Sequence, residues 1–301
     1  MFALYALLVV VWSSTWVAIK FGLEDCPPLL GAGVRFAFAG LVLLAIAAAR
    51  RGSMRTDVRL AAILALFPFA LTYGLVYWGE QYIPSGLAAV LFGVLPLYTA
   101  LLGSLVLPDA PLRARLVAGI LVAIGGLALA FAESADSGHP ESAVAGAAAL
   151  AIAPIGASVG NVSLKLRGGA LDAIVLNGWA MLAGGAALLA ASAVGERWSE
   201  LAWTAESIGS IAYLAVIGSS LAFVVLTVLL RHISAQAMSF LALLLPFGAL
   251  AFGAALYGED LSVRALGGAA MVSAGLLIAQ AARRAPTRAR TSEPAATEAG
   301  A

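Results

Sequence analysis

Charge is what this sequence lacks most. Only 11% of its 301 residues are Asp, Glu, Lys or Arg, against about 25% in an average soluble domain. A single cysteine, Cys26, excludes an internal disulfide and a cysteine-based metal cluster. Two histidines, His139 and His232, both in apparent loops, leave no histidine metal site. No His-Glu-x-x-His, Gly-x-Ser-x-Gly or phosphate loop is present, so no enzyme class is indicated and no cofactor is expected. A net charge of +1 gives no sign of a nucleic-acid partner.

What is present is apolar surface. Hydrophobic residues make up 62% of the chain, and the mean hydropathy is +0.99. That is more than a soluble fold of this length can bury, so the solvent must be lipid. A helix needs about 20 apolar residues to cross a bilayer core roughly 30 Å thick. Cutting at charges and Pro/Gly turns gives ten such runs: Phe2–Phe21, Leu29–Ala49, Leu60–Gly79, Ile83–Leu107, Leu116–Ala132, Ala143–Leu164, Ala173–Val194, Ile208–Leu230, Ala235–Tyr257 and Val263–Ala282. The fifth is short. The runs are continuously apolar, which excludes alternating barrel strands. The first lacks the basic opening and cleavage pattern of a signal peptide and reads as a span. Residues 283–301, rich in Pro, Thr, Ala and Glu, read as a disordered tail.

Positive charge in short loops sets the orientation. With the amino terminus in the cytoplasm, thirteen Lys and Arg fall inside and four fall outside or near outer helix ends. The outer loops are acidic instead, with Glu24 and Asp25, Glu133, Asp136 and Glu141, Glu196 and Glu200, and Glu259 and Asp260. An odd number of spans scrambles this alternation. Both termini are therefore expected in the cytoplasm.

The chain also repeats itself. At an offset of 150, Ile83-Pro84-Ser85 faces Ile233-Ser234-Ala235, Leu95-Pro96 faces Leu245-Pro246, Gly103 faces Gly253, and Asp109 faces Glu259. The first and sixth runs end alike, at Lys20 and Lys165. Five spans per copy is odd, so the copies enter the membrane from opposite faces. Inverted repeats of this kind recur in secondary transporters, where the solute sits near the midplane between them. The expected fold is all-α: ten transmembrane helices in two inverted five-helix repeats around a central cavity. The expected division is 1–132, an outer linker 133–142, a second repeat 143–282, and a cytoplasmic tail 283–301.

Several local patterns carry a resemblance. They are Trp12-Ser13-Ser14-Thr15-Trp16-Val17-Ala18-Ile19-Lys20, Arg35-Phe36, the Ile-Pro-Ser and Ile-Ser-Ala turns before helices containing Pro96 and Pro246, and Gly258-Glu259-Asp260-Leu261-Ser262 followed by Gly268 and Gly275. Together they resemble the EamA-type family of the drug/metabolite transporter superfamily over roughly residues 5 to 282. One departure is Pro108-Asp109-Ala110-Pro111, where the Gly-Glu-x-Leu-Ser pattern is expected. The resemblance implies export of metabolites, amino acids or drugs through a central cavity of a cytoplasmic (inner) membrane protein. It implies a small-molecule solute and membrane lipid as partners, and a monomer or homodimer. A lipid or isoprenoid-carrier flippase is the alternative, and a channel a more distant one.

Polar side chains in lipid are costly and should face protein or a wet cavity. The candidate cavity residues are Trp12, Ser13, Trp16, Tyr73, Tyr77, Tyr98, Ser158, Asn161, Ser219, Gln236 and Ser239. Aromatic walls with a few hydroxyl and amide groups suit amphipathic organic solutes. Against this, a single Ser more often bonds its own helix or lets helices pack closely. Pro96 and Pro246 remove a backbone donor at matching positions, and both are expected to act as hinges. Arg35 and Glu80 are candidate outer-gate residues, paired with each other unless Arg35 bonds a carbonyl or reaches back to the interface. No Asp or Glu falls near a span midplane, so facilitated or weakly coupled transport is expected, with Glu80 as the remaining candidate for proton coupling.

Overall fold

The computed structural model describes residues 1–107, 112–135, 139–168, 171–233 and 235–281, leaving aside the side chains at 200, 230, 231, 235–239 and 281. The expected tail 283–301, Asp109 and Ser234 lie outside the described residues.

Ten helices in the described residues are long and apolar enough to cross a membrane. They are α1 Phe2–Leu23, α2 Pro28–Ala49, α3 Val58–Glu80, α4 Ser85–Val106, α5 Ala114–Ala135, α6 Pro140–Arg167, α7 Ala173–Gly195, α8 Ala205–Leu229, α9 Ala235–Tyr257 and α10 Val263–Ala281. No strand occurs among the described residues.

Helix starts follow local chemistry. Asp57, Asp172 and Thr204 accept hydrogen bonds from the first free N–H groups of α3, α7 and α8. Pro28 and Pro140 occupy the first turns of α2 and α6, where a missing N–H costs nothing. Gly258, with φ +70°, lies just past the end of α9.

Two helices run further than their apolar stretches. The fifth is 22 residues rather than short, because Glu133 and Ser134 sit in its last turns instead of ending it. The sixth extends from Pro140 to Arg167, with Glu141 in its first turn and Lys165 and Arg167 in its last. Those signs favour the helix dipole, so the charges extend the helix.

The helices pack as two inverted copies. The two most extensive contacts pair α2 with α7 and α5 with α10, each helix meeting its own counterpart. The α1–α9 contact is mirrored by α6–α4, and α3–α6 by α8–α1. Close approach depends on glycine. A Cβ on Gly40 of α2 would stand 2.6 Å from the Leu182 nitrogen and 2.7 Å from the Gly178 oxygen of α7.

The repeat extends to helix defects, one of which the sequence announces through the mid-span Pro68. α3 widens into a π-helical segment at Ala65–Thr72, and α8 does so at Leu214–Leu221. In each, a hydroxyl donates to the carbonyl five residues back: Thr72 Oγ1 to Phe67 at 2.9 Å and Ser220 Oγ to Ala215 at 2.9 Å.

The prolines break the symmetry. α4 is interrupted after Phe92 and restarts at Leu95, with Pro96 in the new first turn, whereas α9 runs unbroken through Pro246. The two prolines match in sequence but not in geometry. The difference lies three residues earlier. Gly93 packs against Pro246, and a Cβ there would meet Pro246 Cγ at 3.3 Å; Leu243, its counterpart, has a side chain that is buried.

Candidate functional site

The centre of the bundle carries an aromatic and hydroxyl layer. Trp16 packs on Phe92 at 5.4 Å between ring centroids, and Trp12 on Phe223 at 6.3 Å. Ser13 Oγ of α1 donates to the Leu245 carbonyl of α9 at 3.5 Å. Its counterpart Ser158 of α6 donates to Leu95 of α4 at 3.4 Å and to Pro154 at 2.8 Å. Each serine therefore ties one repeat to the residue before Pro96 or Pro246 of the other. Asn161 Nδ2 donates to Thr99 Oγ1 at 3.3 Å, and Thr99 Oγ1 donates to Ser158 Oγ at 3.1 Å.

Of the expected cavity residues, Trp12, Trp16, Tyr73 and Tyr98 are half-buried and Asn161 is exposed. Ser13, Tyr77, Ser158 and Ser219 are buried and engaged with neighbouring helices instead of lining open space. The side chains of Gln236 and Ser239 lie outside the described residues.

Arg35 is 2% exposed and lies between rings. Its Cζ sits 4.9 Å from the Phe36 ring centroid and 5.1 Å from that of Tyr73. Nε donates to Ser219 Oγ at 3.0 Å and Nη1 to the Tyr77 hydroxyl at 3.4 Å. The expected ion pair with Glu80 is absent, and neither Glu80 carboxyl oxygen meets a donor among the described residues. Arg35 does not reach the interface either. Aromatic faces and neutral oxygens hold the cation, while Glu80 lies one turn further along α3.

The end of the bundle with the acidic loops is laced both within the first repeat and between the repeats. Lys20 Nζ donates to the carbonyls of Glu80 at 2.7 Å and Ile83 at 2.9 Å, with Gln81 at 3.4 Å, at the carboxyl end of α3. The Glu259 carboxylate accepts from Ser85 N at 2.6 Å and Gly86 N at 3.0 Å, holding the amino end of α4. Glu196 does the same for α2, accepting from Leu29 N at 2.7 Å and Leu30 N at 3.0 Å. Tyr257 donates to Glu24, and Thr204 to Asp25. Anions at helix amino ends are favoured by free N–H groups and the dipole. At the basic end the ties among the described residues include the exposed Arg50–Asp172 pair and Trp179 Nε1 donating to the Met54 carbonyl at 3.2 Å.

Outside the acidic-end seal lies a vestibule of about 420 Å³ bordered by Asp25, Cys26, Trp78, Tyr82, Glu196 and Arg197. Burial, helped by the negative charge of Glu196, pushes the Cys26 thiol up to about 11. No group of three potential metal ligands occurs among the described residues.

The family described as the EamA-like transporter family matches residues 1–132 and 144–280. The chain belongs to that family. It is 31% identical to the uncharacterized inner membrane transporter YedA of Escherichia coli, over 87% of this chain and 83% of that one. It is 25% identical to the uncharacterized transporter YoaV of Bacillus subtilis, over 89% and 92% of the two chains. A Salmonella typhimurium relative described as a probable amino-acid metabolite efflux pump is 28% identical over 90% of this chain and 92% of that protein. A crystal structure shares the fold, with a TM-score of 0.67 at 21% identity, covering 94% of this chain and 97% of its own. The protein is a multi-pass inner-membrane transporter of the EamA type that handles small-molecule solutes.

For this EamA-like transporter, sequence reasoning missed the caps supplied by Glu196 and Glu259 and the carbonyl clasp of Lys20. The Gly258-Glu259 pattern and the paired lysines Lys20 and Lys165 were visible signals. Which helix each would hold depends on contacts between elements far apart in sequence.

Proposed function

We propose that this EamA-like transporter exports small metabolites, with amino acids and drug-like amphipathic solutes as the class, by alternating access between its repeats at 1–132 and 143–282. The basic end faces the cytoplasm, with both termini, in keeping with the clustering of Lys and Arg there. The observation that carries the reading is the lacing of the acidic end. There the partly buried carboxylates of Glu259 and Glu196 bond main-chain N–H groups of the other repeat, while the ties described at the basic end include the exposed Arg50–Asp172 pair. A bundle shut at one end and built from inverted copies can reverse by exchanging the shapes of its halves. The aromatic layer with Thr99 and Asn161 offers a neutral solute apolar faces and a few polar contacts. The description of the Salmonella relative points to the same solute class.

The test is efflux from proteoliposomes preloaded with a panel of radiolabelled neutral amino acids and cationic dyes. At least one solute should leave about tenfold faster than from empty vesicles, and Asn161→Ala should raise its KM more than it lowers its maximal rate. Failure of every solute to move above background, with a monodisperse protein, removes the export reading.

A further inference from the structure

Glu80 is the one described acid that is 0% exposed. Neither of its carboxyl oxygens meets a hydrogen-bond donor among the described residues. The charged groups around it are committed elsewhere. Lys20, from α1, donates to the carbonyls of Glu80, Gln81 and Ile83 and not to the carboxylate. Arg35, from α2, is held by two rings, Ser219 and Tyr77. Glu259, from the turn before α10, has its oxygens on the amino end of α4. α4 adds the Ser85 hydroxyl, which is also buried and unpartnered. α6 meets this turn of α3 at Gly79 through Gly146 and Leu150, which carry no charge. On its own helix the nearest titratable group is Tyr77, whose hydroxyl accepts from Arg35.

An ionised carboxylate in such a place has lost its water and gained no donor, a large penalty. A neutral carboxylic acid loses far less. We propose that Glu80 is a proton-binding site, and that the acidic end of the bundle closes over it only when it carries a proton taken from the solution on that side. The proton bonds to a carboxylate oxygen while the end is open, and returns to the same solution when the end reopens. Ionised Glu80 competes for the nearest ammonium, that of Lys20, and draws it from the carbonyls of Gln81 and Ile83. The clasp between α1 and the α3–α4 turn is then released. Acid outside favours the closed form and alkali the open one. This rests on the proposed orientation and alternating access, but its test needs no solute.

Cys26 serves as the reporter. It is the chain's one cysteine, buried, beside Gly31 and Tyr77 and under the acidic-end vestibule. Its labelling by a membrane-impermeant maleimide is measured in proteoliposomes from about pH 5.5 to about pH 8.5. The thiol's own reactivity rises with pH, so wild type is compared with Glu80→Gln at each pH. The ratio of the two rates should rise about fivefold or more across the range, since only the wild type has a carboxylate to open the seal. Glu80→Asp should behave as wild type. Glu80→Met, which needs no hydrogen bonds there, supplies the same reference if glutamine prevents folding. A ratio constant within about twofold, against either reference, overturns the proposal and leaves the transport reading untouched. Efflux that fails while the ratio rises removes the solute reading alone.

Discussion

Replacing Arg35 by methionine is expected to leave a folded protein whose transport falls about tenfold or more, equivalent to about 1.4 kcal/mol in the barrier. The stability side is a near-cancellation. The guanidinium has no carboxylate counter-ion among the described residues, and its burial is offset by two ring faces and two neutral hydrogen bonds. A desolvated cation–π contact contributes on the order of 2 kcal/mol, and each neutral hydrogen bond about 1 kcal/mol. Removing a buried charge and filling its place with an apolar chain of similar volume is often neutral. The melting temperature in detergent should therefore move by only a few degrees. Function is different, because Arg35 joins α2 and α3 of one repeat to Ser219 in the π-helical segment of α8 in the other. Methionine fills the space without bonding across the repeats. Arg35→Lys should also lose activity, since an ammonium lacks the planar fork that stacks on Phe36 and Tyr73. Wild-type transport by Arg35→Met would show that Arg35 only packs.

Gly40→Val should be among the most damaging single changes in the bundle. The added Cβ meets the main chain of α7, at Leu182 and Gly178, and main chain cannot rotate aside. Small residues let membrane helices approach closely, and that packing is much of what drives their association. The α2–α7 seam joins the two repeats, so its separation propagates to both. Overpacking costs roughly 1 to 3 kcal/mol where side chains can yield, and here the obstacle is backbone. Little monodisperse protein should be recovered, with a sharply lowered melting temperature. A variant that melts with the wild type would contradict the packing described for this seam.

Much of the fold was legible because lipid makes a strong demand. Ten helices, their order and their pairing in inverted copies follow from apolar length, loop charge and the 150-residue offset. The ends were less legible, since a residue such as Glu133 reads as a break in composition but sits comfortably in a last turn. The break in α4 was half legible. Pro96 and Pro246 announce themselves, but whether a helix breaks depends on a neighbour such as Gly93 or Leu243 and on what packs there. Of the π-helical segments, the one in α3 carries Pro68, a mid-span proline that marks a break, while the one in α8 left no trace because it widens without any proline. Among the candidate site residues, type was a better guide than pairing. Arg35 and Glu80 stood out as charges in apolar runs, but Arg35 is held by two rings and two hydroxyls, and the Glu80 carboxyl meets no donor among the described residues. Glu259 looked like one more outer-loop acid until the fold set it against the amino end of α4. Such partnerships cross from one repeat to the other and have no local signature.

The central claim is that one pocket between inverted repeats faces either compartment in turn. Tyr98, half-buried on α4 beyond its break, is suited to test it once Cys26 is replaced by serine. A Tyr98→Cys side chain should react with an impermeant thiol reagent in both right-side-out and inverted vesicles, with transported solute shifting the balance between the two rates. Labelling from one side alone, whatever solute is present, would contradict the account.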